Sequence, residues 1–424
     1  LSKKVPAKPK RELTKKQISR WEKQKRRQRL LFRLGVFIIV AALGVVGAGW
    51  YRAEYKPYHE TIVKVNGSSF NMQYFIDTLG YYGSGQSMQY LYSLASGVSK
   101  VIEQNELVVQ GAAELGIVVD ADEVETAIKE RELPENDAYR GMVGAELTAT
   151  RVQEEYLAPQ IPAYDVHCQI FAMFLESERQ VNEVRDRIES GDDFQLIAEE
   201  LSLDMITQAQ KGDLGLRPKG VLDAVLQTPV PGDYAFSAVV GELSAPLYDD
   251  GLSKGVGYWL VNVMETNLET EEANVQLMLL SNEDEALSVK AQLEAGDNFT
   301  ALAMELSQHE ASKENGGNLG WLTRGSLPEV IDKYVYDLET RLDAISEPIR
   351  DETVETLGGY WLVKVVDIQE NMEVDGENRD VLKAIALEEW VDSLWDNPDN
   401  EIEVFLDGEK TQFAIDQLLE SSSN

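Results

Sequence analysis

A stretch of 26 residues occurs twice in this chain. "GDDFQLIAEELSLDMITQAQKGDLGL" at 191–216 aligns without a gap to "GDNFTALAMELSQHEASKENGGNLGW" at 296–321, offset by 105 residues, with ten identical positions. Such a repeat restricts the fold, because both copies must build the same unit. The period is too long for a solenoid and ordinary for a globular domain. Two tandem domains follow.

The likeness extends both ways. Upstream, Val181, Val184 and Ile188 match Ala286, Val289 and Leu293. Both sets follow i, i+3, i+7, one face of a helix. Gly191 and Gly296 then stand where a helix-ending glycine belongs. Before the helices, "IFAMFL" (170–175) and "VQLMLL" (275–280) are short enough for buried strands. Downstream, "GELSAPL" (241–247) matches "DAISEPI" (343–349), and "GYWLVNV" (257–263) matches "GYWLVKV" (359–365), now offset by 102. Each unit reads strand, helix, short helix, Gly-rich turn, helix, strands. That mixture without regular alternation is α+β. The spacing places the units at 163–268 and 269–369, each closed by its own "GYWLV" strand.

The flanks read as helical. In 53–162, "VKVNG" gives a strand and an Asn66–Gly67 turn. "VIEQNELVVQGAAELGI" (101–117) is amphipathic, and Asp120 with Glu123 has capping-box spacing. In 370–424, Ala384, Leu387, Val391 and Leu394 form a stripe that needs a partner. The two flanks are expected to form one mostly helical domain, with the tip "ESSSN" disordered.

Charge is unevenly spread. Residues 1–33 hold fourteen Lys and Arg against Glu12 and Glu22, so the whole-chain charge of −35 understates the acidity of the rest. Such an acidic body repels phosphates and excludes nucleic acid as its partner. Between Leu34 and Tyr51, "LGVFIIVAALGVVGAGWY" holds no charge. As a helix it spans about 27 Å, close to a bilayer core. The basic leader 1–33 sets the cytoplasmic side, and Trp50 and Tyr51 suit an interface. The expectation is a single-pass anchor at 34–52 that contacts lipid, with a cleaved signal peptide as the alternative and the bulk of the chain extracytoplasmic in either case. Cys168, the one cysteine, excludes an internal disulfide and sits in an apolar run. No His/Cys/Asp/Glu spacing suggests a metal, and no cofactor motif appears.

The second unit, "GDNFxxxAxxLSxxxxxxxxGGNLGW", then "ISEPI" and "GYWLVKV", resembles the parvulin family of peptidyl-prolyl isomerases. The flanks are similar to SurA- and PrsA-type foldases, and the likeness covers roughly 60–396. The resemblance implies polypeptide clients, no cofactor, and X–Pro rotation across a barrier of about 18–20 kcal/mol. It also implies a pocket with two histidines, an Asp or Cys, a Met and a Phe. The first His position falls at Ala172 and Leu277. The Asp/Cys position, a candidate catalytic one, falls at Asp204 and His309. The Met position holds Leu222 and Leu327, the Phe position Leu226 and Ile331, and the final His position Trp259 and Trp361. His167 lies five residues from Ala172, an odd shift that turns it to the opposite strand face. Neither unit assembles the His pair, since the chain has only His59, His167 and His309.

Residues 70–94 carry five tyrosines and two methionines around a Gly/Ser break. Such side chains suit adaptable recognition, and Tyr81, Tyr82 and Met88 are candidates for client binding. The expected function is a membrane-anchored foldase that binds unfolded or exported polypeptides with weak or lost isomerase activity. An active isomerase and a non-catalytic envelope scaffold are the alternatives.

Overall fold

A computed structural model describes residues 55–83, 85–267, 270–337 and 339–422, with Leu43, Gly49 and Tyr51 before them. The expected leader and anchor (1–33 and 34–52) lie almost wholly outside the described residues. Among the described residues, no helix is long and apolar enough to cross a membrane. The chain divides into two compact units, one running through Val152 and resuming at Glu389, the other from Gln153 to Glu388.

In the first unit, β1 (Thr61–Val65) turns at Asn66–Gly67 into β2 (Ser68–Asn71). Asn66 takes the left-handed conformation that this turn needs (φ 52°). Four helices follow: α1 (Met72–Gly83), α2 (Met88–Glu114), α3 (Ala121–Glu130) and α4 (Asp137–Val152). Ser87 caps α2, and Asp120 with Glu123 forms the capping box on α3.

The second unit holds two antiparallel four-stranded sheets. Its first half runs β3 (Tyr164–Leu175), α5 (Glu178–Glu189), α6 (Phe194–Leu201), α7 (Met205–Ala209), β4 (Asp213–Pro218), α8 (Lys219–Leu226), a further short helix (Val230–Ala235) without a counterpart among the described residues of the second half, β5 (Leu247–Lys254) and β6 (Gly257–Asn267). The second half repeats it as β7 (Glu272–Leu280), α9 (Glu283–Glu294), α10 (Phe299–Leu306), α11 (Glu310–Glu314), β8 (Asn318–Thr323), α12 (Glu329–Val335), β9 (Ile349–Asp351) and β10 (Thr356–Glu373). Alternation along β3 sends Cys168, Ile170, Ala172 and Phe174 into one core, and Phe171, Met173 and Leu175 into another, so the sheet is covered on both faces.

The two sheets are built crosswise. Their orders are β4–β3–β10–β5 and β8–β7–β6–β9. Each repeat supplies three strands of its own sheet and takes the fourth from the other repeat. "GYWLVKV" completes the first sheet, with Trp361 opposite Phe174 and Leu247. "GYWLVNV" completes the second, with Trp259 opposite Leu279 and Ile349. The sequence spacing predicts that each unit closes on its own strand; the sheets show the strands exchanged. The physical reason lies in the copies themselves. Their Tyr, Trp, Leu and Val residues are the same, so either strand satisfies either slot, and the path of the connections decides. Even the leading glycine is used alike. A Cβ on Gly359 would fall 2.5 Å from the Phe174 ring, and one on Gly257 2.7 Å from both Leu279 and Thr356.

The connections cross at a buried polar knot. Thr356 pairs with Lys254 and donates its hydroxyl to Val256 O at 2.5 Å. Lys254 is 2% exposed and donates to Ser281 Oγ at 2.6 Å and to Gly358 O. Burial pulls its ammonium down to about 8, against an opposing pull from Glu176 and Glu285. Between that value and the ordinary 10.5, the folded chain releases a proton that the unfolded chain keeps, so this group adds stability as pH rises. The expected result is that the Tm of the parent rises relative to Lys254→Met between about pH 8 and about pH 9.5. Parallel Tm curves would contradict it.

After β10 the chain enters α13 (Gly376–Trp395), β11 (Ile402–Val404) and α14 (Gly408–Ser422). The C-terminal part returns to the first unit. β11 pairs antiparallel with β1 in the register Val63↔Val404. Asn66 ties the flanks together, donating to Asn400 Oδ1 at 3.0 Å and accepting from Glu401 N at 2.8 Å. Ala414 and Ile415 join Phe75, Leu79, Leu91 and Ile102 in one core. At Gly111, Leu394 and Trp390 come so close that a Cβ would lie 2.7 Å from Leu394. The expected disorder of the tip does not extend to Glu420, Ser421 and Ser422, which lie in α14. Leu418 and Leu419 pack on the core and carry the helix onward.

Candidate functional site

Each sheet holds one tryptophan slot, and in both the indole donates to a buried aspartate at the same distance. In the first, Trp361 is fully buried among Ala172, Phe174, Leu222 and Leu226, and its ring lies 5.0 Å from Phe174. Its Nε1 donates to Asp249 Oδ2 at 3.0 Å, and Thr228 donates to the same oxygen at 2.7 Å. In the second, Trp259 is 2% exposed among Leu277, Ile331 and the half-buried Leu327. Its Nε1 donates to Asp351 Oδ2 at 3.0 Å, while Thr353 donates to Oδ1 through N and Oγ1. Burial works to raise the Asp351 carboxyl, but the hydrogen bonds from Thr353 and Trp259 outweigh it and hold it low.

Serines fix both incoming strands. Ser244 Oγ accepts from Val363 N, and Ser346 Oγ from Val261 N, each at 3.0 Å. These serines belong to the "ELSAP" and "AISEP" segments, so one repeat clamps the strand of the other. A second serine pair ties the Gly-rich region to the sheet. Ser202 accepts from Phe174 N and bonds Thr207, and Ser307 accepts from Leu279 N and bonds Ser312.

The pocket residues are brought together, but by exchange. Ala172, Leu222 and Leu226 meet Trp361 and not Trp259; Leu277, Leu327 and Ile331 meet Trp259 and not Trp361. The pairing within a repeat expected from sequence is thereby corrected. Seven of these eight side chains are at most 2% exposed, so they face one another as core. Asp204 and His309 act as helix caps. Asp204 Oδ1 accepts from Thr207 N at 2.8 Å, and His309 Nδ1 from Ser312 N at 3.3 Å. Burial lowers the His309 imidazole, and its ring stands edge-on to Trp259 at 5.2 Å. His167 is buried with Nδ1 3.1 Å from Asp165 O. Cys168 is a core thiol that burial pushes up to about 11.

Asp249, Asp351, Ser244 and Ser346 were missed by sequence reasoning. Their signal was present, since each pair keeps the 102-residue offset that joins Trp259 to Trp361. A separate cleft of about 740 Å³ is lined by Arg179, Tyr248, Asp284, Glu285 and Tyr360 among others. Arg179 there is already engaged by Glu183, Glu283 and Asp284. Among the described residues, no group of three His, Cys, Asp or Glu side chains is arranged to hold a metal.

Residues 175–265 and 268–367 each match the rotamase model, the PPIC-type PPIase domain. Both repeats belong to the parvulin family. The matched segments follow sequence order, while the parvulin sheets trade their last strands. The foldase protein PrsA of Oceanobacillus iheyensis is 35% identical over 117 residues, 28% of this chain and 37% of that protein. The periplasmic chaperone PpiD of Haemophilus ducreyi is 31% identical over 112 residues, 26% of this chain and 16% of that protein. The matches span at most about two fifths of the length of these relatives. Among solved structures, a peptidylprolyl isomerase (PrsA) from Bacillus cereus is 12% identical with a TM-score of 0.29, over 85% of this chain and 99% of that one.

Proposed function

We propose that this chain is a membrane-anchored, extracytoplasmic foldase that holds unfolded or newly exported polypeptides, and that its parvulin domains have weak or no isomerase activity. One observation carries the chaperone reading. Tyr81, Tyr82 and Met88 stand 44–49% exposed where α1 meets α2, although large apolar and aromatic side chains are usually covered. The names of the relatives, foldase and periplasmic chaperone, support it. The anchor rests on the uncharged run from Leu34 to Tyr51 and the basic leader before it. The activity reading rests on the tryptophan slots. Rotation of an X–Pro bond needs a site that holds the twisted amide, and both family positions are filled with buried indole.

An active isomerase is the second reading. It is favoured by His309 beside Trp259, the one histidine next to a pocket position. Three measurements separate the readings. Aggregation of an unfolded client should be suppressed, and crosslinkers at Tyr81, Tyr82 and Met88 should capture it. Cis/trans exchange of a proline peptide should stay near background. Robust exchange that disappears in Leu327→Asp would establish the isomerase instead. A single stable co-purifying protein without client capture would point to a scaffold.

A further inference from the structure

We infer that the tip of the α1–α2 hairpin selects client segments that combine aromatic and cationic side chains, in preference to aromatic segments that are neutral or acidic. This rests on the chaperone reading above and names the substrate class of that surface.

The first ground is the tip itself. From Thr78 to Ser99, 22 consecutive residues carry no charge, in a chain of which 27% is charged. Tyr90 and Tyr92 at the start of α2 are also exposed, at 48% and 40%. Five large side chains thus sit at one hairpin end. Tyr81 meets Tyr82 edge-on at 4.9 Å and Tyr139 edge-on at 5.6 Å, while both Tyr81 and Tyr82 remain about half exposed. Exposed tyrosine faces attract guanidinium and ammonium groups as well as other rings.

The second ground is what surrounds the tip. Asp77 lies near Tyr139, and Glu146 near Tyr82, where each works with burial to push the phenol up. Two arginines of the neighbouring helices are already engaged. Arg131 spans both oxygens of Glu146 at 2.7 and 2.9 Å, and Arg140 bonds Glu125 and Asp137. Asp77 receives the neutral Gln73 amide at 2.9 Å. Residues 56–152 and 389–424 together carry 8 Lys and Arg against 24 Asp and Glu. An uncharged aromatic surface inside so negative a field draws cationic chains and repels acidic ones.

The test uses the full chain and three short fluorescent peptides of equal aromatic content. One carries Lys and Arg, one Ser and Gln, and one Glu and Asp. Binding is read by anisotropy at about 50 mM and about 500 mM NaCl, which shortens the screening length roughly threefold. The cationic peptide is expected to bind about tenfold tighter than the neutral one at low salt, with the gap closing at high salt. The pairs Tyr81→Ser/Tyr82→Ser and Tyr90→Ser/Tyr92→Ser should each weaken it severalfold while the circular dichroism stays that of the parent. Equal binding of the three peptides would overturn the inference and leave the chaperone reading standing. A cationic preference untouched by both tyrosine pairs would also overturn it. Failure of every peptide to bind, with no suppression of client aggregation, would remove the chaperone reading itself.

Discussion

Cut after folding at a protease site placed between Asn267 and Glu272, the two repeats stay together. The expected readout is co-elution of the pieces on size exclusion, with separation only in denaturant. The main reason is the exchange of β6 and β10, to which the packing of the C-terminal flank on the first unit adds. Trp259, Leu260, Val261 and Val263 are buried in the sheet of the second repeat, and Trp361, Leu362, Val363 and Val365 in that of the first. Each such side chain contributes about 1.5–3 kcal/mol on burial, so the eight together hold well over about 10 kcal/mol across the cut. An association of about 12 kcal/mol already corresponds to a nanomolar Kd. Pieces that drift apart in plain buffer would mean that each repeat closes on its own strand.

Trp361→Ala should cost about 3–5 kcal/mol, among the largest effects of any single substitution here. The indole fills a fully buried slot, and its loss opens a cavity between Phe174 and Leu222. It also leaves Asp249, 5% exposed, without one of its donors. The measurement is the urea midpoint of residues 153–388 within the full chain. A native stability of 5–15 kcal/mol makes a loss of this size plain. Trp259→Ala, with Asp351 as its partner, should behave alike, because the slots are copies. A midpoint unchanged in both would show that the slots are not packed as described. Neither substitution is expected to bring prolyl isomerisation, since Asp204 and His309 remain engaged as helix caps.

Much of this was readable from the amino acids. The 105-residue repeat, the helix faces at Val181 and Ala286, the capping box at Asp120 and the turn at Asn66–Gly67 all follow from local pattern. So does the count of three histidines, which needs no coordinates. The Asp249 and Asp351 partners were less visible. An aspartate after "APLY" or "EPIR" is unremarkable as a surface residue, and it becomes a buried acceptor only when an indole from the other repeat arrives. Lys254 carries no local sign of burial either. Its ammonium is enclosed because two chain crossings meet there, and a crossing is a non-local event.

The sequence by itself determined that two like α+β units exist and which strands close them. Those features are local patterns repeated at a fixed offset, and local pattern is what a linear string records. Only the tertiary structure decided which unit each closing strand completes. "GYWLVNV" and "GYWLVKV" present the same inward residues, so their side chains cannot distinguish the two slots. The choice falls to the short connections around Lys254 and Thr356, where backbone direction and one buried ammonium commit each strand to its neighbour's sheet.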